Sequence, residues 1–389
     1  MRLLIAGGGT GGHIYPALAV ARSLRDRPTA PDLVWLGGHR GLEADLVRDA
    51  GIRVRRLALR SLRTVDLSVH AVVDPLRLAL SVPQAAAILA AERPAAILTT
   101  GGYVAVPTIL AAGPLRIPVV LWEGNAIPGR AVRATARLAH ALAVSYEAAG
   151  VALAGAHRPT FFTGTPIRDV TLIKRADARA RLGLPPDAPT ILIFGGSQAV
   201  RRFNAAVTAA LPRLVERVHV LHVSGETGYA AALAQREQLP ADRRDRYRPY
   251  PFLRDDMLAA LVAADLVVGR AGSSTLAEVT ALGIPAVIVP YPHASGHQAA
   301  NARTLAAAGA ARIVADEAFD ADALVSASEI LFDEPARAAM ATAARRLGRP
   351  GAADAIAALV LALAERRPLP DAAAIEAIAR GTADQRAAG

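Results

Sequence analysis

The 389-residue chain contains no cysteine, which excludes disulfide bonds, thiolate nucleophiles and cysteine-ligated zinc together. Lysine is almost as scarce: Lys174 stands alone among 44 Lys and Arg residues, so the positive charge is arginine. A Walker-type phosphate loop needs a lysine directly after its glycines, and no glycine-rich stretch here has one. Aromatic residues make up only 4% and interleave with no basic face, which argues against a nucleic-acid surface. The formal charge of +10 therefore points to phosphates or an acidic membrane surface. A secretory apolar segment is missing, since only residues 3–6 are apolar before glycines intervene. The longest uncharged run, residues 94–115, is as long as a membrane span, but Gly101, Gly102, Pro107, Gly113 and Pro114 break it. It reads as a buried strand, a glycine turn and a short helix.

What is present is aliphatic. An apolar fraction of 53% over this length supplies two hydrophobic cores, so two domains are expected. Short aliphatic runs at residues 32–36, 96–99, 119–122 and 141–144 alternate with helical patterns, and runs at 191–194, 218–223, 266–268 and 286–289 repeat the scheme. Such alternation implies an α/β architecture of doubly wound parallel sheets, with ligands bound at the carboxyl ends of the strands. The expected division is 1–164, 165–345 and a helical tail over 346–389 that packs back towards the first domain.

Four stretches carry candidate chemistry. The first apolar run leads into Gly7, Gly8, Gly9, Thr10, Gly11, Gly12 and His13, a loop whose backbone N–H groups can approach an anion closely. It also satisfies the dinucleotide fingerprint, yet residues 32–36 end in Gly37, Gly38 and His39 rather than the acid that would hold a ribose, which weakens a nicotinamide reading. His13 at a helix start is disfavoured as a cation and can act as a base, or it only positions its loop. Gly195, Gly196 and Ser197 repeat the glycine device, with Ser197 better suited to donate to phosphate than to attack. Gly272, Ser273, Ser274 and Thr275 open a helix that carries Glu278, a candidate for ribose hydroxyls; Arg270 just before them reads as surface charge. Gln298 and Asn301 share a helix face suited to sugar hydroxyls, while His293 and His297 lack the carboxylate a metal site would add. Asp320 and Asp322 form a D-x-D that reads as a helix cap.

In this order, together with GGY at Gly101, Gly102 and Tyr103, E-G-N at Glu123 to Asn125, G-T-P-I-R ending in Arg168, and F-L-R-D-D-M from Phe252, the motifs resemble the MurG family. Its members move N-acetylglucosamine from UDP-N-acetylglucosamine to a polyprenyl-diphosphate-linked muramyl peptide in peptidoglycan synthesis. The resemblance implies a GT-B fold, two Rossmann-like domains with parallel sheets facing a central cleft. It also implies an inverting transfer that needs neither metal nor cofactor. It assigns His13 as the base and places Thr10, Gly11, Gly12, Asn125, Arg168, Ser197, Leu253, Ser273, Ser274, Thr275, Leu276, Ala277, Glu278 and Gln298 on the donor. Among these, Leu253 matches the uracil contact, Glu278 the ribose ligand and the hydroxyl residues the diphosphate contacts. Gly101, Gly102 and Tyr103 fall on the acceptor side.

The resemblance further implies a peripheral enzyme at the cytoplasmic face of the membrane, seated through Leu76, Arg77, Leu78, Leu80 and Val82 near the basic segment 53–63. Departures from the family pattern are Thr165 for an asparagine, Trp122 and Gly124 within H-E-Q-N, Ala199 and Val200 after GGSQ, and an extra Arg254. The competing readings are a UDP-sugar epimerase on the same fold and a nicotinamide-binding enzyme.

Overall fold

Thirteen strands among the described residues form two parallel sheets. The structure is a computed structural model that describes residues 1–8, 11–38, 43–59, 70–195, 200–253, 256–294 and 296–382. By its internal contacts the chain divides into two compact units, Met1–Arg168 with Arg349–Gly389, and Asp169–Gly348.

The first unit contains β1 (Arg2–Ala6), α1 (Gly11–Arg25), β2 (Asp32–Gly37), α2 (Glu43–Asp49), β3 (Arg53–Arg56), α3 (His70–Glu92), β4 (Ala96–Thr99) and α4 (Gly102–Ala112). It continues with β5 (Val119–Glu123), α5 (Arg130–Thr135), β6 (Ala141–Val144), α6 (Glu147–Leu153) and β7 (Thr160–Phe162). The second unit contains α7 (Arg175–Arg181), β8 (Thr190–Phe194), α8 (Val200–Leu214), β9 (His219–Val223), α9 (Glu226–Glu237), β10 (Tyr247–Tyr250) and α10 (Met257–Ala263). After these come β11 (Leu266–Gly269), α11 (Ser273–Leu282), β12 (Ala286–Ile288), α12 (His297–Ala307), β13 (Arg312–Ile313), α13 (Ala321–Ser328) and α14 (Glu334–Leu347). Helices α15 (Ala352–Ala364) and α16 (Ala372–Arg380) return to the first unit.

The strand orders are β3-β2-β1-β4-β5-β6-β7 and β10-β9-β8-β11-β12-β13, every pair parallel. Both sheets reverse direction once, between β1 and β4 and between β8 and β11, and it is at such switch points that open α/β sheets bind ligands. Alternation along the strands divides the first core. Leu3, Ile5, Leu33 and Trp35 face α1 and α15, while Leu4, Ala6, Val34 and Leu36 face α3 and α4. A sheet covered on both faces has no polar face, which is why its strands read as continuous aliphatic runs.

Residues 334–364 are long and apolar enough to cross a membrane, with 67% of the most apolar window buried. That stretch is α14 followed by α15, which belong to different units, and α15 fills the first core with Ile356, Leu359 and Val360. The run at 94–115 is the strand β4, the turn Gly101–Gly102 and the helix α4, as its glycines imply.

Candidate active site

The switch point of the first unit is built around His13, the third residue of α1. Its Nδ1 lies 2.6 Å from the carbonyl oxygen of Thr100, which follows β4. A carbonyl can only accept, so Nδ1 carries the proton and the lone pair of the neutral ring sits on Nε2. Burial pushes the His13 pKa below its ordinary value, against the opposing effects of the Thr100 bond and the Glu123 carboxylate. The ring rests on Gly101 and Gly102, both at positive φ (82° and 71°). A methyl group at Gly102 would stand 3.6 Å from His13 Cδ2 and 3.3 Å from the Gly8 carbonyl oxygen, so the histidine sits against bare backbone.

Beside it, the loop after β5 is tied by one buried carboxylate. Glu123 Oε1 accepts from the backbone N–H of Asn125 (2.8 Å) and from its side-chain amide (3.1 Å), and Oε2 accepts from Gly129 N–H (2.8 Å). Glu123 thus fixes Asn125 and the entry to α5. The departures at Trp122 and Gly124 explain each other: a Cβ at Gly124 would lie 2.6 Å from the Trp122 ring, so the indole occupies the space a larger residue 124 needs. The same indole donates from Nε1 to the carbonyl of Gly164 at 3.2 Å. Tyr103 lies against Gly38, where an added Cβ would come within 2.2 Å of its hydroxyl.

The second unit furnishes its switch point with hydroxyls at a helix start. Gly272 caps α11 in extended backbone and itself supplies no side-chain bond to the first N–H groups of the helix. Ser274 Oγ is buried and has no hydrogen-bond partner among the described residues. An orphan hydroxyl in the first turn of a helix suits an anion brought in from outside. Glu278 is buried one turn further along, and Leu276 belongs to the core. Gln298 on α12 accepts at Oε1 from the N–H of Ala271 (3.2 Å) and of Tyr291 (2.9 Å), joining the loops after β11 and β12. Its remaining capacity is the Nε2 amide, which can only donate. Leu253, after β10, is buried, and Phe252 beside it is exposed.

Some expectations change. Arg270 is not surface charge: it is 5% exposed, pairs with Asp316 at 2.5 Å, donates to the Val289 carbonyl and lies over the Phe203 ring. Asn301 is fully buried and donates to the Ala271 carbonyl, so it holds that loop instead of presenting an amide beside Gln298. The apolar patch on α3 does not form one face. Residues two apart in a helix point to nearly opposite sides, and Leu78 packs against the core while Leu80 is 62% exposed. Arg77 and Val82 are half-buried, and the Leu76 side chain lies outside what is described. Asp320 caps α13 by accepting from Ala323 N–H, and Asp322 pairs with Arg213. Thr10 and Ser197 lie outside the described residues; Gly11 and Gly12 open α1, and Ala277 and Thr275 lie in the first turns of α11. Arg168 is half-buried at the last position of the first unit's leading segment.

Thr100 and Glu123 were not identified as positioning groups from the sequence. A threonine before a double glycine and an acid at a strand end were the available signals.

Comparison with known proteins shows the family and the fold. The glycosyltransferase family 28 N-terminal domain matches residues 3–144 and its C-terminal domain residues 190–357. A curated protein of Desulforudis audaxviator is 38% identical over 372 residues, covering 94% of this chain and 99% of its own length. It is named UDP-N-acetylglucosamine–N-acetylmuramyl-(pentapeptide) pyrophosphoryl-undecaprenol N-acetylglucosamine transferase. The crystal structure of MurG from Acinetobacter baumannii superimposes with a TM-score of 0.72 at 29% identity, over 92% of this chain and 99% of that one. A structure described as a UDP-N-acetylglucosamine 2-epimerase from Listeria monocytogenes reaches 0.69 at 15% identity, over 95% of this chain and 98% of its own, and shares the fold alone.

Proposed function

The chain belongs to the MurG family within glycosyltransferase family 28, and from that premise we propose how its two switch points divide the family's reaction. It is a hexosyltransferase of GT-B fold that moves N-acetylglucosamine from UDP-N-acetylglucosamine to the muramyl sugar of a polyprenyl-diphosphate-linked peptide. The second unit holds the donor. The α11 N-terminus with Ser273, Ser274 and Thr275 takes the diphosphate, Glu278 the ribose, the Leu253 backbone the uracil, and the Gln298 amide a sugar hydroxyl. Ser197 and Arg168 are assigned to further phosphate contacts, and Thr10, Gly11, Gly12 and Asn125 to further donor contacts. Gly101, Gly102 and Tyr103 receive the acceptor.

In the chemical step the acceptor hydroxyl gives its proton to His13 Nε2 while its oxygen bonds to the anomeric carbon. The bond from that carbon to the diphosphate breaks with its electron pair, and UDP leaves with inversion. N–H groups and hydroxyls already aimed at the diphosphate stabilise the charge it gains. The observation that carries this reading is the Nδ1 bond to a carbonyl, which leaves Nε2 as a base, together with the orphan Ser274 hydroxyl at a helix start. The lipid-linked acceptor is met at the anionic membrane surface, to which the exposed Leu80 and the cations near α3 contribute.

The test is transfer of labelled N-acetylglucosamine from its UDP ester to a polyprenyl-diphosphate muramyl acceptor in detergent or anionic vesicles. A labelled disaccharide lipid and stoichiometric UDP are expected. Release of a changed free sugar from donor alone would instead support the epimerase.

A further inference from the structure

We propose that Thr100 is the positioning residue for His13, gripping it from both ends: its carbonyl takes the imidazole proton and its hydroxyl holds the backbone of the helical turn that carries the ring. This rests on His13 being the base. The two contacts are reciprocal. His13 Nδ1 donates to the Thr100 carbonyl at 2.6 Å, and Thr100 Oγ1 donates to the His13 carbonyl at 3.1 Å. Residue 13 is thereby clamped at ring and main chain by a single residue just after β4, 87 positions away in sequence.

The clamp itself is anchored. Thr100 is 2% exposed, and its N–H donates to the Ala6 carbonyl at the end of β1. Its hydroxyl fills the space beside Gly7, where an added Cβ would lie 2.8 Å from Oγ1. Trp35 donates its indole N–H to the Gly7 carbonyl at 2.9 Å and its ring closes on the same Cβ space at 3.3 Å, so the indole and the threonine together hold the glycine. Small displacements of a base away from its proton are costly to rate, and a hydroxyl bonded to the base's own backbone resists them. When Nε2 takes the acceptor's proton, the Nδ1–H bond to the Thr100 carbonyl becomes charge-assisted and strengthens. The carbonyl thus fills the place that a carboxylate fills in other histidine-based sites.

The experiment uses the full chain and the lipid transfer assay, with Thr100→Val, Thr100→Ser, His13→Ala and the double variant His13→Ala/Thr100→Val. Valine keeps the shape and removes only the hydroxyl. Thr100→Val is expected to lower kcat by about ten-fold or more while the KM for UDP-N-acetylglucosamine stays within about two-fold, and Thr100→Ser to restore most of the rate. In the His13→Ala background the same substitution is expected to cost nothing further, since residues that act through one another are not additive. Wild-type turnover by Thr100→Val overturns the proposal, and so does an equal loss in both backgrounds. If Thr100→Val folds poorly, Thr100→Ala with the serine rescue carries the same comparison. Wild-type turnover by His13→Ala would overturn the base assignment itself, whatever Thr100 does.

Discussion

The two units share one strand order, with β7 the one strand the first adds, and have one switch point each, yet furnish it differently. In the first, the strand ends deliver an imidazole pinned to a carbonyl and resting on two glycines; in the second, they deliver a glycine-capped helix start with a buried Ser274 hydroxyl that has no partner among the described residues, and the part-buried Arg270–Asp316 pair. A scaffold that merely positions loops leaves the chemistry to whatever the loops carry. On the reading proposed above, the first serves to move a proton and the second to hold an anion.

Breaking the first half has the largest expected effect. His13→Ala should lower kcat by roughly 10²- to 10⁴-fold, the range for losing a general base, in a steady-state transfer assay. Next in size is Asp316→Asn, which leaves the buried Arg270 guanidinium short of its charge partner and should destabilise the second unit by about 3–5 kcal/mol in denaturant unfolding.

The second unit also contains a titrating weak point away from the donor contacts. His222 bonds Tyr247 Oη at 2.8 Å and Asn204 Oδ1 at 3.1 Å, and burial lowers its pKa to about 4. The depressed value means the native state holds it neutral. Below the unfolded value of about 6.5 the unfolded chain binds a proton that the native state refuses, so stability falls as pH drops from there towards 4. The loss reaches about 3 kcal/mol, and His222→Gln should flatten that slope when unfolding is followed across the range.

A smaller effect sharpens the contrast at the first site. Gly124→Gln should cost about 1–3 kcal/mol by overpacking against the Trp122 ring, and Trp122→His in the same chain should recover most of it, read by thermal unfolding.

Much of this division was legible in the sequence, for definite reasons. Strands buried on both faces, such as β4, β6 and β8, carry no charged residue and are mostly aliphatic, and the residues expected at 96–99 and 141–144 are those of β4 and β6. The four strands that were not read are the four sheet edges: β3, β7, β10 and β13. Edge strands are short and polar by nature. Arg53, Arg55 and Arg56 make β3 look like a basic segment, and Pro249 interrupts β10. On β3 the arginines are in part engaged internally, Arg53 with Asp32 and Arg55 with the buried Glu92.

At the site, both glycine-rich motifs follow strands that flank the switch points, β1 and β8, while residues 9–10 and 196–199 within them lie outside the described residues. Arg270 and Asn301 were misjudged because their partners, Asp316 and the Ala271 carbonyl, are joined to them only by the fold. Thr100 was missed for the same reason: nothing local in a threonine shows that its two ends meet a histidine 87 residues earlier.

The division of labour between the switch points is tested most directly by calorimetric titration of UDP into the wild type, His13→Ala and Ser274→Ala. His13→Ala is expected to bind UDP with wild-type affinity and Ser274→Ala about ten-fold more weakly, the loss of one hydrogen bond to a charged ligand. Unchanged affinity in Ser274→Ala, or a collapse of UDP binding in His13→Ala, would contradict that division.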